Sequence, residues 1–195
     1  MIGKEKEELD KRINLINNDK IREFTNQCLN IAPKYFWVIP ASSSGRYHPP
    51  LSLGEGGLLR HTIAAVDYGS SLCEKNTMNT IDRDKIISSL ILHDTCKAGV
   101  KDIKNNSFYP WHAFLPKKHY KEIAKSHLPL LSKEIFDMID SHMGQWTTKQ
   151  DKIPETRNQK ITHYADYLAS RKKQPILDYS KEIIHLQTYD FSIEL

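Results

Sequence analysis

D-R-D-K-I-I-S-S-L-I-L-H-D-T-C-K, residues 82–97, is the stretch that decides the fold. Its apolar residues recur at helical spacing, with Ile86, Leu90 and the pair His93-Asp94 stacked on one face. Asp82 stands where an N-cap is expected. A polar pair on an apolar stripe faces a core, and isolated burial of a charge costs on the order of several kcal/mol. His93 and Asp94 therefore need partners. Lys97 falls three residues after Asp94, on the same face.

The same periodicity extends outward. Leu58–Cys73 reads as a helix with Leu58, Thr62, Ala65, Val66 and Gly69 on one stripe, and with His61 in its first turn after G-E-G-G-L-L-R. Lys118–Leu128 and Ser132–Met143 read as two more. The second carries His142 in D-S-H-M-G-Q-W and is expected to stop at Gly144. Glu155–Arg171 points Ile161, Ala165 and Leu168 inward and holds Asp166 in H-Y-A-D-Y-L-A-S-R-K. Upstream, residues 4–16 form a charged surface helix, and Asp19–Ile31 a second one stopped by Pro33. The aromatic run 35–40 leads into a Ser/Gly/Pro-rich loop over 41–57. Residues 98–117 are a long irregular excursion, with Gly99, Asn105-Asn106, Pro110 and Pro116. Such excursions often carry function. Residues 145–154 are polar, and 172–195 are weakly patterned, with Ser180–Gln187 as a short helix. The chain is expected to be all-α.

A length of 195 residues suits one domain with a core that needs no staples. The 28 Lys and Arg against 24 Asp and Glu leave +4, an excess that fits an anionic substrate without arguing for nucleic acid. Cys28, Cys73 and Cys96 form no C-x-x-C, so buried reduced thiols and a cytoplasmic location are expected. The opening M-I-G-K-E-K-E-E has no apolar signal core, and no apolar run approaches the roughly 20 residues that span a bilayer.

Nine histidines are many for this length, and several stand beside carboxylates on apolar stripes. Four or five such groups on separate helices satisfy one another through a metal ion. Imidazole mixed with carboxylate suits iron, manganese, nickel, cobalt or zinc. A carboxylate can bridge two ions, and a two-ion site activates water and clamps a phosphoryl oxygen.

The order His61, His93-Asp94, Asp166 resembles the HD phosphohydrolase superfamily. G-G-L-L-R-H-T, H-D-T-C-K and D-Y-L-A-S-R-K look like a bacterial and phage branch of it. S-H-M-G is similar to a segment of the YhaM-like exoribonucleases, with Met143 where a second histidine could stand. The resemblance covers about 54–173. It implies a compact helical HD-domain bundle, one domain over 1–195 with an N-terminal helical extension and a C-terminal tail. It also implies a first divalent metal on His61, His93, Asp94 and Asp166. Asp94 would bridge to a second ion completed by His142 and by His112 of P-W-H-A-F-L-P. His119 in K-K-H-Y competes for that place, or acts as proton donor to the leaving group. Lys97 would meet the substrate phosphate. His48, His127, His163 and His185 are given structural or surface roles. Trp111 and Trp146 flank the pocket in sequence and are of a type that stacks on nucleobases, although burial is a tryptophan's commoner fate.

The expected activity is hydrolysis of a phosphomonoester or phosphodiester of a nucleotide or short oligonucleotide by metal-activated water. The expected catalytic residues are Lys97, Asp94 and His119. Three rivals share the residues: a di-iron oxygenase, a 3′–5′ exonuclease on single strands, and a nucleotide-binding module without turnover. No membrane partner is expected, and a homo-oligomer is compatible with the sequence.

Overall fold

The computed structural model describes residues 2–46, 48–101, 108–147 and 152–171. Residues 172–195, including the short helix expected at 180–187, lie outside these. The described residues form eight α-helices and no strand, with helix making up 66% of the structure. They are α1 (Ile2–Ile13), α2 (Asp19–Asn30), α3 (Gly57–Lys75), α4 (Thr80–Leu92), α5 (Leu115–His119), α6 (Lys121–His127), α7 (Ser132–Ser141) and α8 (Arg157–Ala169). Among the described residues, no helix is long and apolar enough to cross a membrane.

α4 is the central rod. Every residue from Asp84 to Leu92 is buried, so beyond its first turn the helix has no solvent face. α2, α3, α7 and α8 pack around it. Four of its buried polar residues find partners around it. Asp84 Oδ2 accepts the Asn18 N–H at 2.7 Å, just ahead of α2. Ser88 meets Thr25 of α2 at 2.7 Å, and Ser89 meets Thr162 of α8 at 3.2 Å. Lys85 reaches Asp82 and Glu134 of α7, both at 2.6 Å. A register slip of α4 would break several of these buried bonds together, each leaving an orphan that costs about 1–3 kcal/mol.

α3 lies most extensively against α8 and then against α4. That proximity needs Gly69, where an added Cβ would stand 2.2 Å from Leu90 Cδ1 and 3.6 Å from Ala165 Cβ. The start of α3 is equally tight. A Cβ on Gly57 would meet the Ser52 carbonyl oxygen at 2.3 Å. Gly56 N–H donates to Val38 O and Leu58 N–H to Ile39 O, which satisfies orphan donors of the helix start with the preceding aromatic turn. Arg60 ties the same loop down through the carbonyls of Leu51 and Leu53 and the Glu5 carboxylate of α1.

Several sequence-based boundaries shift. α4 starts earlier, because Asn79 and not Asp82 accepts the capping N–H. It also stops at Leu92, so residues 93–98 form a turn where a continuous helix is expected. Tertiary bonds hold that turn: Tyr120 donates to Thr95 at 2.8 Å, and the Ala98 N–H donates to the Tyr35 hydroxyl at 3.0 Å. The helix expected at 118–128 is two short ones, α5 and α6, broken at Tyr120. α7 ends at Ser141 with His142 as its C-cap, three residues before the expected stop lands at Gly144. His61 opens the second turn of α3 and not the first.

Gly144 has another role. It sits at φ +56°, and a Cβ there would lie 2.1–2.6 Å from the ring of His163 on α8. The loop from α7 can therefore lie directly on α8. Gly69→Val should overpack the α3–α4–α8 contact and lower unfolding free energy by about 1–3 kcal/mol, read from the denaturant midpoint. Gly144→Ala should lose a similar amount, about 1–3 kcal/mol, from left-handed strain plus displacement of His163.

Candidate metal centre

Six side chains converge at the end of α4. His61 comes from α3, His93 and Asp94 from the turn after α4, His112 from the short turn before α5, His142 from the cap of α7 and Asp166 from α8. All are buried except Asp166, whose side chain is 17% exposed. They fall into two triads, His61/His93/Asp166 and Asp94/His112/His142, with one ligand atom from each residue within 4.8 Å of the others.

Asp94 stands between the triads. Its Oδ2 lies 3.4 Å from His93 Nε2 and 3.7 Å from His61 Nε2. Its Oδ1 lies 3.1 Å from His112 Nε2 and 3.8 Å from His142 Nε2. Asp166 Oδ1 completes the first triad at 3.0 Å from His61 Nε2 and 3.4 Å from His93 Nε2.

Backbone carbonyls set the direction of three rings. His93, His112 and His142 each place Nδ1 against the carbonyl three residues earlier, Leu90 at 2.7 Å, Tyr109 at 3.0 Å and Ile139 at 2.7 Å. A ring nitrogen that close to a carbonyl is the N–H donor. In the neutral ring the Nε2 lone pair is then left pointing into the cluster. His112 and His142 face each other across 3.2 Å between Nε2 atoms, a pair of lone pairs. Both nitrogens of His61, Nε2 of His93 and Oδ1 of Asp94 are buried without an aligned hydrogen bond. Buried lone pairs and carboxylates that face one another repel until a cation enters. The donor set and its orphaned atoms therefore fit divalent ions.

The electrostatics agree. Burial alone would raise the carboxyl of Asp94, but Lys97 and His93 hold it well below the usual carboxylate range. Asp166 is likewise held down against its burial by His61 and His93. His93 gains charge: burial opposes this, yet Asp94 and Asp166 push its pKa up to about 10. His142 goes the other way, down to about 3, through burial and the nearby His93. The cluster thus holds its carboxylates ionised and His142 a free base, and it draws onto His93 the positive charge that a bound cation would supply.

Lys97 Nζ lies 2.5 Å from Asp94 Oδ2 and 5.6 Å from the centre of the Phe108 ring. It faces a cavity of about 630 Å³ that Asp94, His112, His142 and Asp166 also line. His119 is not brought there. Its Nε2 is bonded to the Ile31 carbonyl at 3.0 Å, its ring lies on Tyr120, and it does not line the cavity. That carbonyl ends α2, where acceptors lack helical partners, and it captures the ring.

Two residues given structural or surface roles in the sequence belong to this neighbourhood. His48 packs edge-on to His61 at 5.2 Å between ring centres, with its Nδ1 buried and unpartnered. Burial and His61 press its pKa down to about 4. His163 donates Nδ1–H to the His142 carbonyl at 2.7 Å and so fixes the turn that carries His142. Its sharing a helix face with Asp166 was a usable signal. His48, in an aperiodic loop, offered none. Cys28, Cys73 and Cys96 are buried free thiols. Burial pushes Cys96 up to about 12, far from a nucleophile.

A family model for the HD domain matches residues 58–171, more than half of the chain, and spans His61, His93, Asp94, His112, His142 and Asp166. No curated protein and no solved structure matches. HD domains bind divalent metals and are generally metal-dependent hydrolases. With its all-helical fold and its paired His/Asp cluster, the chain belongs to the HD domain family.

Proposed function

We propose that the protein hydrolyses a phosphate ester of a nucleotide or short oligonucleotide at a two-ion centre. The observation that carries this is Asp94, with one oxygen toward each of two ligand triads at the edge of a cavity large enough for such a substrate. His61, His93 and Asp166 would hold one ion, His112 and His142 the other, and Asp94 would face both. Ions bound there supply Lewis acidity and a water acidic enough to serve as nucleophile near neutral pH.

The chain's own residues do the rest. The three Nδ1–carbonyl bonds fix the imidazoles before any ligand arrives, which lowers the ordering cost of binding. Lys97 steadies Asp94 and brings a positive charge to the cavity, where it offsets charge that builds on a phosphoryl oxygen. The Phe108 ring lies 5.6 Å from the Lys97 ammonium and lines the same cavity. His119 takes no part, since its ring is committed to Ile31. The bacterial and phage resemblance favours a nucleotide or short oligonucleotide over other esters. A modest +4 charge gives little long-range pull on a long polyanion.

Asp94→Asn should lose both bound metal and phosphate release from a nucleotide panel and a generic phosphodiester. Retention of both would sink the proposal. His142→Ala should lower metal content by one ion per chain while the first triad keeps the other, as elemental analysis of the purified variant reads directly. Restoring metal to chelator-treated native protein should raise Tm, by the equivalent of about 2.7 kcal/mol when free ion is a hundredfold above Kd. Turnover that proceeds without dioxygen separates hydrolysis from the di-iron oxygenase reading.

A further inference from the structure

Trp146 follows the turn that carries His142, and 47% of its surface is exposed. It lines the same cavity as the metal cluster. Tyr167 of α8 stacks on it, nearly parallel at 8° with 5.5 Å between ring centres. Arg171 lies over Tyr167 at 4.0 Å and 5.3 Å from the centre of the Trp146 ring. Its Nε is buried without a hydrogen bond, and Arg171 pairs with no carboxylate among the described residues.

These facts are unusual together. Tyr167, Arg171 and His163 lie against the indole, yet nearly half of it stays exposed at the cavity. A large flat apolar surface beside a centre suited to cations and beside the Lys97 ammonium fits a ligand with an aromatic ring at one end and an anion at the other. A guanidinium that spends its face on aromatic rings keeps its N–H edge for an acceptor. A volume of about 630 Å³ lies within the roughly 300–1,000 Å³ of ordinary small-molecule sites.

We propose that Trp146, backed by Tyr167 and Arg171, is a nucleobase-stacking subsite that selects base-bearing phosphate esters over plain sugar phosphates. This rests on the phosphohydrolase reading for the position of the phosphate. The ring of the base lies on the free surface of Trp146, Arg171 offers its N–H edge to an acceptor of the ligand, and the phosphate reaches the cluster beside Lys97. Stacking tolerates any base, because each has a π-face, so the subsite distinguishes nucleotides from other esters and not one base from another.

The test uses metal-loaded protein and two hydrolysis-resistant phosphonates, the analogues of adenosine monophosphate and of ribose phosphate, compared by calorimetry. The native protein should bind the adenosine analogue about 5- to 100-fold more tightly. Trp146→Ala should erase that preference while leaving affinity for the ribose analogue unchanged, which also shows that the rest of the site is intact. Trp146→Phe should keep most of it, and Trp111→Ala all of it. Equal affinity of the native protein for both analogues overturns the subsite and leaves the phosphate reading standing. A preference that survives Trp146→Ala does the same, and binding of neither overturns both. If Trp146→Ala does not fold, a variant with Trp37 and Trp111 both changed to Phe reports through Trp146 alone. Its emission should be quenched by the adenosine analogue and not by the ribose analogue; an unmoved emission at saturation overturns the proposal.

Discussion

Two carboxylates and four imidazoles, all buried but Asp166, meet at the edge of a cavity with their ligand atoms turned toward one another. That convergence is the constraint on which the molecule turns. Nothing in a purely structural core would assemble it, because each lone pair buried against another costs free energy. It persists because α3, α4, α7 and α8 are locked around it by contacts that have nothing to do with the cluster: Gly69 against Leu90, Ser89 against Thr162, Lys85 against Glu134. The scaffold supplies the order, and a cation supplies the missing charge.

The centre sits where helices end. α4 stops at Leu92, α7 at Ser141, and the residues that follow turn sideways into the middle. Within a helix a side chain's direction follows from the axis. At an end the backbone is free to re-aim it, and tyrosines 35 and 120 fix the new direction after α4. His163 does the same for the turn after α7, across the space that Gly144 leaves open.

The helical architecture was legible because apolar spacing is a local property. The stripes of α3 and α8 are buried as their periodicity demands. The ends were not legible, since the Leu-Ile-Leu run continues smoothly into His93-Asp94 while the bonds that stop the helix come from Tyr35 and Tyr120, far off in sequence. Residue type and order led to His61, His93, Asp94, His142 and Asp166, and the structure brings these together with His112. Between His112 and His119 the sequence had no means of choosing. Both follow prolines and lie in basic or aromatic surroundings, and only the chance proximity of the Ile31 carbonyl separates them. His48 shows the limit most clearly, for a loop without period carries no record of what it folds against.

Three of the imidazoles grip a carbonyl with one nitrogen and offer the other inward. Each is a two-headed fastener, joining its own chain turn to whatever occupies the centre. A thiolate or carboxylate in the same place has no N–H to spend on the backbone, so it could take the cation only by releasing the turn. Exchange of ligand type is thus coupled to loss of local order. The ligand type at these three positions is written into the backbone acceptors as much as into the side chains.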